Sequence, residues 1–96
     1  MLVNDYIRCV DWPVAPTPLT STGAPGSPPI LVISTTGDPA TPYEGGVAVA
    51  DALENGILIT NEGDGHTVVL DGKACIDDLV NAYLVDDVIP EDGTTC

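Results

Sequence analysis

Asp38 and His66 are the two residues of this sequence best suited to proton-transfer chemistry. An imidazole has an ordinary pKa close to neutrality, so it can accept and return a proton in the physiological range. A carboxylate bonded to the second ring nitrogen fixes the tautomer and stabilises the imidazolium that forms. Together the two side chains predict the acid and the base of a Ser-His-Asp triad.

The nucleophile of such a triad is missing from this sequence. No G-x-S-x-G motif occurs; Ser34 falls within a predicted strand, and Ser21 and Ser27 fall in a proline-rich segment. In α/β-hydrolases the triad residues follow the order serine, acid, histidine, and Asp38 before His66 matches the last two. We therefore expect the serine to lie outside this chain, and the chain alone to be inactive.

The same residues allow other interpretations, which the sequence favours less. Asp38 could be a plain turn residue and His66 a surface residue, but Gly63 and Gly65 favour a functional ring because they leave space around it. The run 61–66 (NEGDGH) resembles a calcium loop, yet it lacks the alternating acidic ligands and the closing glutamate of an EF-hand. Three scattered cysteines and one histidine give no zinc spacing. The sequence predicts no metal site and no cofactor.

Two apolar runs predict the strands that position the acid and the base. Residues 30–35 (ILVIST) and 57–60 (ILIT) are rich in β-branched residues and have no polar alternation, as expected of strands buried on both faces and therefore parallel. Loops follow at 37–40 and 62–66. Because parallel strands end at the same edge of a sheet, Asp38 and His66 are expected at one edge.

A helix is predicted between the two strands. Thr41 can cap it, Pro42 suits its first position and Glu44 completes a capping box. We expect it to run to about Glu54 and to end at the left-handed signal Asn55-Gly56.

A second helix is predicted near the C-terminus, and the segment after it, Pro90–Cys96, is expected to be irregular. The apolar positions of this helix recur at the spacing of one helical face. They are Ile76, Leu79, Val80, Tyr83 and Leu84. The predicted fold class is α/β, a right-handed parallel βαβ unit with a C-terminal covering helix over residues 30–96, preceded by an extended proline-rich segment over residues 1–29.

The composition limits the partners. A hydrophobic fraction of 44% excludes wholesale disorder, and the formal net charge is −13, with Arg8 and Lys73 as the only Lys or Arg residues. Nucleic acid and anionic membrane are therefore unfavourable partners, and the acidic surface is expected to be solvated. No apolar run reaches the roughly 20 residues of a membrane span. The N-terminus lacks the pattern of a signal peptide.

The three cysteines indicate an oxidising compartment. A Cys75–Cys96 disulfide would fix the C-terminal segment to the last helix and contribute about 3 kcal/mol in the chain-entropy model. The alternative is three free thiols packed as small hydrophobic groups. Cysteines of this kind without an export signal suggest a piece of a longer protein.

Residues 29–96 resemble the C-terminal region of the tripeptidyl aminopeptidase-like family of exported bacterial α/β-hydrolases. The matching stretches lie in the same order along both sequences. They are PILVI (29–33), GDPATPY (37–43), GDGH (63–66), CIDD (75–78), AYLV (82–85), then Pro90, Gly93 and Cys96, with CVDWP (9–13) ahead of them. Two positions depart from the family pattern: Gly45-Gly46 replaces larger helix formers, and residues 67–69 (TVV) replace smaller ones.

The resemblance implies that Asp38 is the triad acid and His66 the triad base of a secreted or cell-envelope bacterial peptidase. It implies an upstream region with the serine and the oxyanion hole, a peptide substrate with a free N-terminus, and an upstream partner for Cys9. A stand-alone acidic interaction module and an inactive hydrolase relative remain alternatives. Because two strands cannot cover their own edges, the isolated piece is expected to self-associate.

Overall fold

The computed structural model describes Ile7, residues 9–20 and residues 22–96. Residues 1–6, Arg8 and Ser21, on which parts of the N-terminal predictions fall, lie outside the described residues. The helices and strands that lie wholly within the described residues are three strands and two helices. They are β1 (Ile30–Gly37), α1 (Tyr43–Ala52), β2 (Gly56–Asp64), α2 (Ala74–Asp86) and β3 (Thr94–Thr95).

The strands form one parallel sheet in the order β1-β2-β3. Ile30 pairs with Gly56, and the register continues to Thr35 opposite Asn61 before an irregularity shifts it at Gly37. The parallel α/β prediction is confirmed. Both strands run further than predicted, so that residues 62–64, expected in a loop, continue β2.

A small apolar core joins the sheet to α2. Its buried members are Ile59, Val68, Ile76 and Val80. Leu79 packs against this cluster, as the helical periodicity predicts, whereas Leu84 is 69% exposed. The prediction that Leu84 belongs to the covered face is wrong because, among the described residues, the buried cluster extends along α2 no further than Val80.

The predicted ends of α1 are wrong in two respects. Thr41 does not cap the helix, because its hydroxyl is bonded to Asp38 instead, and the N-cap residue is Pro42 with no side-chain bond. The helix ends at Ala52, and the next residue is already extended. Gly56 begins β2 and serves a close approach, since a Cβ there would lie 2.3 Å from the carbonyl oxygen of Ala50.

The C-terminal segment is more regular than predicted. β3 pairs in parallel with β2, and the flanking amides of Gly93 and Cys96 donate to the carbonyls of Leu58 (2.9 Å) and Thr60 (2.7 Å). The structure contains a disulfide between Cys75 and Cys96, which ties the first turn of α2 to the residue after β3. This bond holds the segment against the sheet edge, where its backbone groups find partners.

The structure accounts for one of the two unusual glycines of α1. A Cβ at Gly46 would lie 2.4 Å from the Ser34 hydroxyl oxygen and 2.5 Å from its Cβ, whereas a Cβ at Gly45 would meet nothing within 4 Å. Gly46 therefore lets the first turn of α1 lie directly on β1.

The described part of the proline-rich segment forms no helix or strand beyond Ile7. It contacts the α1–β2 turn, where the Glu54 N–H donates to the Gly23 carbonyl (2.8 Å).

No helix among the described residues is long and apolar enough to cross a membrane.

Candidate active site

The carboxyl ends of β1 and β2 bring Asp38 and His66 together. The Nδ1 atom of His66 lies 2.9 Å from Oδ2 of Asp38 and 3.2 Å from Oδ1. The Asp38 side chain is 7% exposed and the His66 side chain 51% exposed. In the part of the chain that is described, the second ring nitrogen, Nε2, makes no hydrogen bond. The ring therefore has one nitrogen held by a carboxylate and the other free for a reactant.

Local turn geometry holds the Asp38 carboxylate. Its Oδ1 accepts the backbone N–H groups of Ala40 (2.8 Å) and Thr41 (2.9 Å), and its Oδ2 accepts the Thr41 hydroxyl (2.9 Å). Aspartate readily forms such bonds to amides two and three residues ahead. The sequence Asp-Pro-Ala-Thr thus folds into a turn that fixes the acid.

These bonds favour the ionised form of Asp38. The backbone bond from Thr41 and the bond to His66 hold the pKa of this carboxyl well below its ordinary value of 3.8, with smaller contributions from Ala40 and the Thr41 hydroxyl. Desolvation acts in the opposite direction and is outweighed. Asp38 is therefore negatively charged throughout the range in which a histidine can act as a base.

The lowered pKa of Asp38 predicts a pH dependence of stability. A carboxylate whose pKa falls on folding stabilises the folded state above its unfolded pKa, and this contribution is lost as the pH falls through the folded pKa. The difference in free energy of unfolding between the wild-type chain and Asp38→Asn should therefore shrink as the pH falls from 5 to 2, through 3.8, the ordinary pKa of this carboxyl. Urea unfolding at these pH values measures it. A difference that is unchanged at pH 2 would contradict the assignment.

The loop after β2 has an unusual backbone that aims His66. The residue after the histidine, Thr67, has a φ of 68°, and Leu70 has a φ of 63°. This left-handed conformation is strained for a β-branched residue and persists only where surrounding contacts impose it. Val68 is buried in the core, and the Leu70 amide donates to Asp77 of α2 (2.7 Å). These contacts hold the loop in place.

A cleft of about 360 Å³ opens beside the pair. Side chains from both loops and from the end of β1 line it: Ile33, Ser34, Thr35, Asp38, Thr41, His66, Thr67, Val68 and Val69. The Ser34 hydroxyl donates to the carbonyl of Tyr43 (3.3 Å) and is not bonded to His66. Among the described residues, no group of three His, Cys, Asp or Glu side chains could hold a metal ion.

Sequence reasoning missed two contributors at this edge of the sheet. The sequence predicts Thr41 as the helix cap, although its position three residues after an aspartate is also that of a turn partner. Asn61 lies between the predicted strand (57–60) and the predicted loop (62–66), and in the structure it is a buried residue of β2 that is bonded to Thr35 and Lys73. A polar residue continuing an apolar strand was the available signal.

Comparison with known proteins identifies the family. The family model described as TAP-like protein matches residues 1–96. The chain belongs to the TAP-like family. It is 48% identical over 89 residues to the serine protease Hip1 of Mycobacterium tuberculosis, a stretch covering 92% of this chain and 17% of that protein. Over 92 residues it is 44% identical to carboxylesterase B of Mycobacterium tuberculosis (92% and 17% covered) and 37% identical to tripeptidyl aminopeptidase of Streptomyces lividans (94% and 17%).

The parallel sheet with its two helices is thus part of an α/β-hydrolase fold, as predicted. This TAP-like chain spans 17% of the length of these relatives. The names of the three relatives all describe hydrolytic enzymes.

Proposed function

We propose that this TAP-like chain is the C-terminal part of a secreted bacterial serine hydrolase of the peptidase type. In it Asp38 is the acid and His66 the base of a Ser-His-Asp triad, and an upstream segment supplies the serine. The contact of 2.9 Å between His66 Nδ1 and the Asp38 carboxylate, with Nε2 unbonded among the described residues, carries the proposal. A nearly buried carboxylate on one nitrogen of a half-exposed imidazole is the arrangement that general base catalysis needs.

The chemistry follows from the two ring nitrogens. As the upstream serine oxygen bonds to the carbonyl carbon of a substrate, Nε2 of His66 takes the serine proton and the ring becomes an imidazolium. The same proton then passes to the leaving amine or alcohol as its bond to the carbonyl carbon breaks. Water then bonds to the acyl carbon and gives a proton to Nε2, and this proton passes to the serine oxygen as its bond to the acyl group breaks. Asp38 keeps its charge throughout and holds the Nδ1 proton towards itself.

The substrate class is proposed from the relatives. Two of them, a serine protease and a tripeptidyl aminopeptidase, favour a peptide substrate. If the parent enzyme resembles the aminopeptidase in specificity, that peptide has a free N-terminus. The carboxylesterase relative, 44% identical, favours an ester as the second candidate. Both substrates use the same acyl transfer, so residues outside this chain would set the choice.

The free side of β1 is proposed to receive the rest of the sheet. Among the described residues β1 pairs only with β2, and a groove of about 410 Å³ lies between β1 and α1. The groove is lined by Val32, Ile33, Ser34, Thr41, Pro42, Gly45, Gly46 and Val49. An upstream strand bonded to β1 would bring its own carboxyl end to the edge where Asp38 and His66 lie. The isolated chain is expected to cover the same edge by self-association.

We propose that the full-length protein is exported, and two alternative functions remain. The Cys75–Cys96 disulfide supports an oxidising compartment, and Cys9, which is free and exposed here, is proposed to pair with an upstream cysteine. The stand-alone acidic module and the inactive relative differ from the proposal in lacking a reactive serine. The charge of −13 keeps nucleic acid and anionic membranes outside the proposed partners.

Labelling of the full-length protein with a fluorophosphonate tests the proposal. We expect one upstream serine to be labelled in the wild type and labelling to be almost lost in His66→Ala, because the serine then has no base. Three substrates separate the possible activities. A tripeptide anilide with a free N-terminus reports aminopeptidase activity, the same anilide N-acetylated reports endopeptidase activity, and a simple aryl ester reports esterase activity. A full-length protein that takes no label and cleaves none of the three would refute the proposed function.

A further inference from the structure

A second polar network lies at the carboxyl ends of β1 and β2, next to the acid–base pair. Its centre is Asn61, which is 4% exposed. The Asn61 amide nitrogen donates to the Thr35 hydroxyl (3.0 Å), and the Lys73 ammonium donates both to the Asn61 side-chain oxygen and to the Glu62 carbonyl (3.0 Å). One amide thus bridges two strands and a lysine.

The contacts of the Lys73 ammonium are unusual for so acidic a protein. The sequence contains 15 acidic residues, yet in the described part of the chain Lys73 forms no ion pair. It donates to an amide and a carbonyl at the end of β2. A half-buried ammonium is retained in such a place only where its bonds replace those it made to water. Its specific contact is therefore with the sheet end, not with a neighbouring carboxylate.

The network is connected to both members of the proposed catalytic pair. The carbonyl of Thr35 accepts the backbone N–H of Asp38 (3.3 Å). Asn61 and Glu62 lie just before the loop that carries His66, and Lys73 is the N-cap residue of α2, where that loop ends. The lysine thus joins the two ends of the histidine loop, and Asn61 joins that loop to the strand that leads to Asp38.

We propose that Asn61 and Lys73 are positioning residues for the Asp38–His66 pair, in that they close the histidine loop and hold it in register with the aspartate turn. The proposal rests on the catalytic roles given above. The histidine loop requires such closure because Gly65, Thr67 and Gly72 have φ values of 109°, 68° and 87°. A loop with several left-handed residues has many relaxed alternatives, and contacts at its ends exclude them.

Steady-state kinetics of the full-length enzyme test this role. Lys73→Met keeps the aliphatic stem and removes the donors, so the ring is expected to lose its alignment: kcat should fall about 10- to 100-fold with KM nearly unchanged. Lys73→Arg, which can donate to the same oxygens, should recover most of the loss. The matched control is Asp92→Ala, which removes a bond of 2.7 Å to the Leu58 amide of the same strand and should leave kcat unchanged.

The outcomes separate this inference from the proposed function. If Lys73→Met does not fold, the same kinetics are measured with Lys73→Leu, whose side chain also lacks a hydrogen-bond donor. Wild-type kcat in either folded variant, or an equal loss in Asp92→Ala, would overturn the positioning role. His66→Ala is assayed in parallel: if it retains normal activity the proposed function fails, and if it is inactive while the lysine variants are unimpaired, only the positioning role fails.

Discussion

Replacing His66 by alanine in the full-length protein is expected to lower kcat by about 10⁵- to 10⁶-fold. In the proposed mechanism the imidazole is the single group that takes the serine proton and returns it to the leaving group, so its loss removes both steps. The remaining activity would come from substrate binding and the oxyanion hole. Burst and steady-state assays with an activated ester measure it, because a good leaving group keeps even slow turnover visible.

The control for this variant must exclude loss of the fold. His66 is half exposed, and among the described residues its only bonds join it to Asp38 and Thr41, so alanine should leave the core of Ile59, Val68, Ile76 and Val80 intact. Thermal unfolding should therefore change little. An unchanged kcat in a folded His66→Ala protein would remove His66 from the mechanism.

Replacing Asp38 by asparagine is expected to lower kcat by about 10⁴-fold. Asparagine can still accept the amides of Ala40 and Thr41, which are 2.8 and 2.9 Å from Oδ1, so the turn should survive. Its amide nitrogen, however, would donate towards Nδ1 of His66 and select the tautomer whose Nε2 carries a proton. That ring cannot accept the serine proton, and it lacks the carboxylate that stabilises the imidazolium.

Asp64→Asn is the matched control for the charge. It removes one carboxylate from the end of β2, opposite Gly37 in the sheet register, without touching the bond between Asp38 and His66. A reduction of kcat by no more than about 2-fold is expected, since an exposed charge is screened. Equal losses in Asp38→Asn and Asp64→Asn would attribute the effect to net charge and not to the tautomer.

The parallel strands and the place of the candidate pair followed directly from the sequence. Continuous β-branched runs with a helix between them leave parallel pairing as the simple solution, and parallel pairing delivers Asp38 and His66 to one edge. These are properties of strongly patterned segments, which local sequence largely determines.

The features that the sequence did not predict depend on which of several possible hydrogen-bond partners a group chooses, and the sequence does not show that choice. The Thr41 hydroxyl could cap the helix or donate to the Asp38 carboxylate. It donates to the carboxylate, because a charged acceptor forms the stronger hydrogen bond. β3 has only two residues, and it is held beside β2 by backbone hydrogen bonds and by the Cys75–Cys96 disulfide. Asn61 and Lys73 are twelve residues apart, and nothing local indicates that they meet.

A crystal structure of the full-length protein after reaction with a phosphonate measures the central claim most directly. We expect the phosphonylated serine to lie on a segment upstream of this chain, with its oxygen within about 3.5 Å of His66 Nε2, and Nδ1 still bonded to Asp38. A modified serine far from Nε2, or facing a different base, would contradict the account.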